Sequence, residues 1–471
     1  VLRDRYAYNL WRDAEHPRGL WRRVPWTVLE QGAPGADHPA WETLLDVDAL
    51  AQQEDVNWVY AGTVVRRPAD DRALLRLSRG GADAVEVREF DLATGRFVPQ
   101  SEGGFALAES KCSVSWVDRD TVLLTAPLDP DGFDATESGY ARLARLWRRG
   151  TDPGQAPVIF AAQTPDVAVG AAYDVTTGRF LVSRAPDFHT SQEWFWPVGG
   201  DPVADAPVRV PVPEDCRVES SGEWLLLRPR TDLEAAGRTF AGGSVLVVPW
   251  AELEADPTRL PEPTVLFTPT PSATVEDVTW GRGRLLLTVL EDTESRLEAF
   301  TIPSVPGGAW SPLPVEGLPE HVSIDVLSCD RLSGGGGGDD DDEVVDPAAR
   351  PHPDDAVLAI SGPVVPPSLV LLRADGSTAT LGSTPHRFDA SGIEVTRHTA
   401  VSDDGTEVPY TVMRGPGADG PSPTILYGYG GFEVPMRPAY AALRGALWLE
   451  QDGIYVVAGS RGGGEYGPAW H

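Results

Sequence analysis

The sequence predicts a mainly β chain that becomes the opening of an α/β sheet close to Phe388. Three observations support this. Short alternating or β-branched runs of strand length recur over roughly the first four fifths of the chain. Turn chemistry such as Ala93-Thr-Gly95, Thr176-Thr-Gly178 and Ala374-Asp-Gly376 separates many of them. Beyond Phe388 the pattern changes to strand, helix, strand, the order that builds a sheet containing parallel strands.

Taken in order, strands are predicted at 72–78, 84–92, 121–125, 157–161, 223–228, 244–249, 284–290 and 356–360. Each is bounded by Gly, Pro, Asp or Asn, and no longer run carries a clean helical period. Grouping the runs gives about seven units with a loose period of about 40 to 60 residues. They start near Tyr6, Trp58, Trp116, Val169, Glu223, Val278 and Val322. That spacing fits four-stranded propeller blades with variable loops, and it also fits a pair of β-sandwiches. A domain boundary falls at 388/389. After it, 393–400 and 407–414 read as two strands joined by the hairpin signal Asp403-Asp-Gly-Thr406. A buried-type strand follows at 424–427. A helix is expected over 438–451 from the spacing of Tyr440, Leu443 and Leu447, with Pro438 suited to its first turn. The apolar run 454–458 reads as a strand covered on both faces.

Composition narrows the function. The 471 residues include 49 Gly, 43 Pro and 15 Trp, a mixture that suits short strands and tight turns. With 70 acidic and 39 basic side chains the formal charge is −31, so neither nucleic acid nor an anionic membrane is expected as a partner. No apolar stretch approaches membrane-spanning length, and 1–11 lacks a signal-peptide pattern. Cys112, Cys216 and Cys329 are widely spaced, without Cys-x-x-Cys, and indicate neither a disulfide scaffold nor zinc. Reduced, buried thiols fit a cytoplasmic location. The segment Gly334–Gly338, Asp339–Asp342 and Glu343 is low complexity and is expected to be a solvated loop. Its carboxylates lack the alternation of a calcium loop, and no metal or other cofactor is expected. The isolated histidines show no His-x-His or His-x-x-x-His spacing.

The chemistry concentrates in Pro423-Thr-Ile-Leu-Tyr-Gly-Tyr-Gly-Gly-Phe432 and Arg461-Gly-Gly-Gly-Glu-Tyr-Gly-Pro-Ala-Trp-His471. A strand ending in Gly-Tyr-Gly-Gly turns tightly and leaves Tyr429 at the carboxyl edge of the sheet, where open α/β sheets gather ligands. A phenol held there can donate a hydrogen bond to an oxyanion. From the residues alone, Tyr429 and Phe432 read more readily as packing residues at a domain boundary. Arg461 precedes glycines but no Lys-Ser/Thr follows, so the run is not a phosphate-binding loop.

The two phrases, with Trp448-Leu-Glu450 between them, resemble the start of the peptidase domain in the prolyl oligopeptidase family of serine peptidases. Upstream, Trp11-Arg-Asp-Ala-Glu-His-Pro-Arg-Gly-Leu-Trp21, Leu77-Ser-Arg-Gly-Gly-Ala-Asp83 and Ser138-Gly-Tyr140 resemble propeller phrases of bacterial members. Phe432 and Tyr466 favour the prolyl branch over the oligopeptidase B group, whose phrases end Gly-Ala-Tyr and Glu-Met. The resemblance implies a seven-bladed β-propeller over 1–388 and part of an α/β-hydrolase domain over 389–471. It also implies cleavage of short proline-containing peptides, with the propeller gating access. By position, Tyr429 is the implied oxyanion donor and Phe432 lines the pocket for the P1 proline. The implied Ser-Asp-His triad needs a Gly-x-Ser-x-Gly elbow, and none occurs in the chain. The serine is expected beyond His471, in a remainder of the peptidase domain on another segment or chain. His471 is expected to be a local structural residue, and the chain alone is expected to be inactive. The family's segment ahead of the propeller is expected to be absent, since propeller phrases begin almost at once. The alternatives are a stand-alone propeller used as a binding module, and an oligopeptidase B or acylaminoacyl-peptidase relative.

Overall fold

The computed structural model describes residues 1–305, 307–333, 349–418 and 420–470. The readings placed on the glycine and aspartate run and on His471 lie outside the described residues.

Among the described residues, antiparallel sheets follow one another along the chain, each built from strands in sequence order. The first runs Leu2–Arg3, Tyr6–Trp11, Leu20–Pro25 and Glu42–Asp46. The second starts at Trp58–Val65 and carries a fifth strand, Ala106–Ser110, paired with Val85–Asp91. Counting the sheets of four or more strands and leaving aside the two-stranded hairpin Leu233–Ala235 and Arg238–Phe240, the third begins with Ser113–Trp116, the fourth with Ala168–Asp174, the fifth with Cys216–Ser221, the sixth with Ala273–Trp280 and the seventh with Ser323–Cys329. All eight strands predicted before Phe388 are present within two residues at each end. Four unit starts shift. Tyr6 opens the second strand of its sheet, and Trp116 ends the first strand of its sheet. Glu223 lies in the turn after Cys216–Ser221, and Val278 lies inside Ala273–Trp280. The Cys-Arg-Val-Glu-Ser-Ser strand has only Cys216 and Val218 as apolar signals, which hides it in the sequence.

Side chains on a strand alternate between two faces, and here each face serves a different neighbouring sheet. In Arg72–Arg79, Ala73, Leu75 and Leu77 enter the core shared with the first sheet, whereas Leu74 enters the core shared with the third. In Thr121–Thr125, Val122 and Leu124 pack towards the second sheet and Leu123 towards the fourth. In Trp224–Pro229, Leu225 and Leu227 face the fourth sheet, and Trp224 and Leu226 face the sixth. Leu286 likewise opposes Leu285 and Leu287. Burial of each such side chain contributes about 1.5–3 kcal/mol. That two-sided demand explains why these strands read as continuous apolar runs.

The same rule joins the first sheet to the seventh. Leu2, Ala7, Val24 and Trp26 of the first sheet and its flank form one core with Val357, Leu371 and Leu381 of the seventh. Polar contacts line the seam. Leu2 N–H donates to Ser328 Oγ at 2.7 Å, and Asp4 N–H donates to Asp330 at 2.7 Å. Arg350 pairs with Asp4 at 3.0 Å, and Arg67 bridges Asp70 and Asp330.

Short helices that the periodicity reading missed cap some outer edges. Val47–Glu54 starts at Asp46, whose carboxylate accepts from Ala49 N–H at 2.9 Å, and ends at left-handed Asp55. Trp250–Ala255 buries Trp250 against Phe195, with ring centroids 4.9 Å apart.

The eighth sheet has the order Glu394–Val401, Glu407–Arg414, Ile454–Ala458, Thr424–Gly428. The last two strands are parallel, with Thr424 opposite Ile454 and Gly428 opposite Ala458. A parallel pair needs a crossover, supplied by the helix Ala442–Leu447 and the 3₁₀ turn Leu449–Gln451. That helix is shorter than the expected 438–451, and Pro438 lies outside it. Its N-cap, Ala441, offers no side-chain acceptor, and Trp448 leaves helical geometry at φ −130°. Gly445 is buried against the Phe388 ring, where a Cβ would meet a ring carbon at 2.2 Å. The expected apolar helix face is not covered: Leu443 is 77% exposed and Leu447 64%. Strand Thr424–Gly428 is exposed along its whole length, Leu426 most of all.

Candidate functional site

The two glycine-rich phrases meet at the carboxyl ends of the parallel strands. Thr424–Gly428 delivers Tyr429 to the edge, and Ile454–Ala458 delivers Ser460 and Arg461 beside it. Their backbones touch, which explains the glycines. A Cβ on Gly430 would sit 2.4 Å from the Arg461 carbonyl, and one on Gly462 would sit 2.0 Å from the Gly430 carbonyl. Gly462 has φ +91°, a conformation that glycine alone adopts freely. The Gly462 carbonyl accepts from Glu433 N–H at 3.1 Å, closing the contact from the other side.

Tyr429 folds back over Gly431, where a Cβ would lie 3.0 Å from the Tyr429 Oη. Its side chain is 39% exposed at the sheet edge. Phe432 and Glu433 both hold left-handed backbone angles, φ 57° and 55°. Non-glycine residues in that region cost about 1–3 kcal/mol each and cluster at functional sites. The turn thrusts Phe432 outward, 88% exposed.

Three ion pairs tie this turn and the residues just after it to the preceding sheets. Glu433 accepts from Arg230, which follows strand Trp224–Pro229, with one contact of 3.1 Å. Arg437 reaches Asp325 at 2.9 Å and Glu276 at 3.5 Å. Between the turn and the fourth, fifth and sixth sheets lies a cavity of about 680 Å³, with Phe432, Glu433, His189, Arg217, Arg228 and Arg230 on its walls. Phe432 therefore stands on the rim of a half-open cavity whose volume admits a short peptide, and Tyr429 stands three residues before it.

The second phrase is fixed by charge and burial. Arg461 pairs with Asp404 of the predicted hairpin and donates to Ser402 Oγ at 3.2 Å. The Thr406 backbone N–H, followed by the Arg461 guanidinium, holds the Asp404 carboxyl down at about 2. Glu465 is fully buried behind the turn and accepts from Met436 N–H at 2.8 Å. Burial pushes its carboxyl above the usual range. Gly459 and Gly463 make room for that side chain. Tyr466 packs edge-on against Trp470 at 4.8 Å, and burial followed by Asp292 pushes its phenol up to about 12.

The residues expected from sequence, Tyr429 and Phe432, thus lie on one built turn. Sequence reading missed Arg230, Glu433 and Glu465. The acidic residue directly after Phe432 is a signal for Glu433, but its partner is 203 residues away in the chain. Cys112, Cys216 and Cys329 are free thiols, and burial pushes Cys216 and Cys329 up to about 12, well away from nucleophilic use.

Residues 1–324 match the family model described as prolyl oligopeptidase, N-terminal beta-propeller domain. An uncharacterised peptidase of Sinorhizobium fredii is 35% identical over all of this chain and 61% of its own length. A prolyl endopeptidase of Elizabethkingia meningoseptica is 49% identical over 72 residues, which are 15% of this chain and 10% of that protein. Among solved structures, a post-proline cleaving enzyme from Rickettsia typhi aligns over the whole chain and 65% of its own, with a TM-score of 0.84 at 24% identity. The oligopeptidase B of Leishmania major aligns over the whole chain and 60% of its own, with a TM-score of 0.71 at 16% identity. The chain spans about three fifths of the length of the relatives that it matches along its whole length. On the match of 324 of its 471 residues, the chain belongs to the prolyl oligopeptidase family of peptidases.

Proposed function

We propose that this chain supplies the propeller and the oxyanion side of a serine oligopeptidase that cleaves short peptides after proline. The observation that carries the reading is the Tyr429–Glu433 turn. It is buttressed by the Arg461–Gly464 backbone, strained at two non-glycine residues, and pinned by Arg230 beside a peptide-sized cavity. The shared core between the first and seventh sheets supports a closed seven-bladed ring over 1–388. Such a ring limits the cavity to short, unfolded chains.

In this reading a serine attacks the carbonyl after a proline whose ring packs on Phe432. Charge then develops on the carbonyl oxygen, and the Tyr429 hydroxyl donates to it more strongly than to the neutral ground state. The serine, with its aspartate and histidine, comes from outside these 471 residues, because no Gly-x-Ser-x-Gly lies within them. The exposed apolar surface of Leu426, Tyr427, Leu443 and Leu447 is then the face that the remainder of the peptidase domain covers. No metal or organic cofactor enters this chemistry, and a cytoplasmic location suits the free thiols.

Labelling with a fluorophosphonate tests the division. The full-length protein is expected to be labelled stoichiometrically and inactivated, and residues 1–471 to remain unlabelled. Labelling of residues 1–471 at any serine, with turnover of a peptide substrate, would show that the nucleophile lies within them.

A further inference from the structure

The cavity beside Phe432 contains a charge arrangement that the proposed reaction leaves unused. Strand Cys216–Ser221 sends Cys216 and Val218 into the core shared with the fourth sheet, so Arg217 projects from the opposite face. Its cross-strand partner in register is Arg228. Like charges directly opposite each other destabilise a sheet, so this pairing carries a cost that the fold itself does not need. Both arginines line the cavity.

Neither makes an ion pair there. Arg217 is exposed and makes no ion pair among the described residues. Arg228 donates to the neutral carbonyls of Val275 at 2.6 Å and Glu276 at 3.3 Å. Burial, followed by repulsion from Arg217, lowers its pKa. Glu219 and Asp277 exert a weaker, opposing pull on Arg228 but are not on the cavity wall.

The five carboxylates on the wall each have a hydrogen-bond or ion-pair partner other than these two arginines. Glu433 is held by Arg230, and Glu276 by Arg437 at 3.5 Å. Asp215 accepts from Thr231 Oγ1 at 2.6 Å, and Glu214 from Gln192, with Arg209 at 3.4 Å. Asp187 accepts from the His189 and Thr190 backbone N–H groups. Arg217 and Arg228 are thus two guanidinium groups side by side on the wall of a half-open cavity, neither in an ion pair with a carboxylate of that wall.

We propose that Arg217 and Arg228 form a carboxylate-binding subsite that takes an acidic side chain or the free C-terminal carboxylate of the peptide in this cavity. The inference rests on the reading that the cavity holds peptide substrate, and it adds a preference which that reading does not contain. A guanidinium presents paired donors that match a carboxylate, and the second arginine supplies further attraction inside a partly desolvated space.

The test uses the full-length protein and short proline peptides in which Glu replaces Gln at each position in turn, with free or amidated C-termini. One Glu position, or the free C-terminus, is expected to raise kcat/KM by about tenfold over its neutral counterpart. R217Q removes that preference and R217K keeps part of it, and R217Q does not lower Tm because it relieves the repulsion with Arg228. A Glu/Gln effect identifies a side-chain carboxylate, and an acid/amide effect identifies the terminus. Cleavage without any such preference, or a preference unchanged in R217Q, overturns the subsite alone. No cleavage of any proline peptide overturns the peptidase reading, and this inference with it.

Discussion

Tyr429→Phe in the full-length protein is expected to lower kcat by about 10²–10³-fold while KM changes little. The phenol ring stays in place over Gly431, so packing is kept and only the hydroxyl is lost. A donor aimed at charge that develops only in the transition state affects turnover, not ground-state binding. Steady-state kinetics on a proline-directed chromogenic peptide measures this directly. If KM rises while kcat is unchanged, Tyr429 is a substrate-packing residue. If neither changes, it has no role in the reaction.

Gly462→Ala is expected to be nearly as damaging, although residue 462 offers no chemical group. An added Cβ would lie 2.0 Å from the Gly430 carbonyl, and the residue would keep a left-handed φ of +91°. One backbone must move, and the one nearest is the turn that carries Tyr429 and Phe432. The strain amounts to about 1–3 kcal/mol, and an oxyanion donor displaced by about 1 Å costs on the order of 10²-fold in rate. The expected result is a large fall in kcat/KM with a modest fall in Tm. Gly81→Ala, with φ +89° but open space around it, serves as the comparison. Equal kinetics for the two variants would show that the contact between the phrases does not position the turn.

The strands were legible because their physics is local. A strand buried on both faces reads as a continuous apolar run, and the turns between strands announce themselves by composition. Thr121–Thr125, Glu407–Arg414 and Ile454–Ala458 fall where expected for these reasons. Cys216–Ser221 was hidden because its second face is polar: Arg217 and Glu219 alternate with Cys216 and Val218. The crossover helix was overextended because Tyr440, Leu443 and Leu447 have helical spacing, but no capping group starts a helix at Pro438. Tyr440 instead stacks on Phe388 at 5.0 Å, ahead of the helix.

The site was legible as a phrase but not as a geometry. Glycines at 430, 431 and 462 announce a tight turn, but not that two distant phrases press their backbones together. The left-handed angles of Phe432 and Glu433 carry no glycine signal at all. The attachment to the preceding sheets depends on Arg230 and Glu433, a pairing set by tertiary structure and invisible to periodicity. The same holds for Arg217 and Arg228, which a hairpin register brings face to face.

The most direct measurement is the P1 preference of the full-length protein on matched chromogenic peptides ending in proline, alanine or arginine. The account predicts that kcat/KM for proline exceeds that for alanine by about a hundredfold or more, with arginine lower still, because Phe432 offers an apolar ring face and no carboxylate to the P1 side chain. A preference for arginine, or turnover that does not distinguish the three, would contradict it.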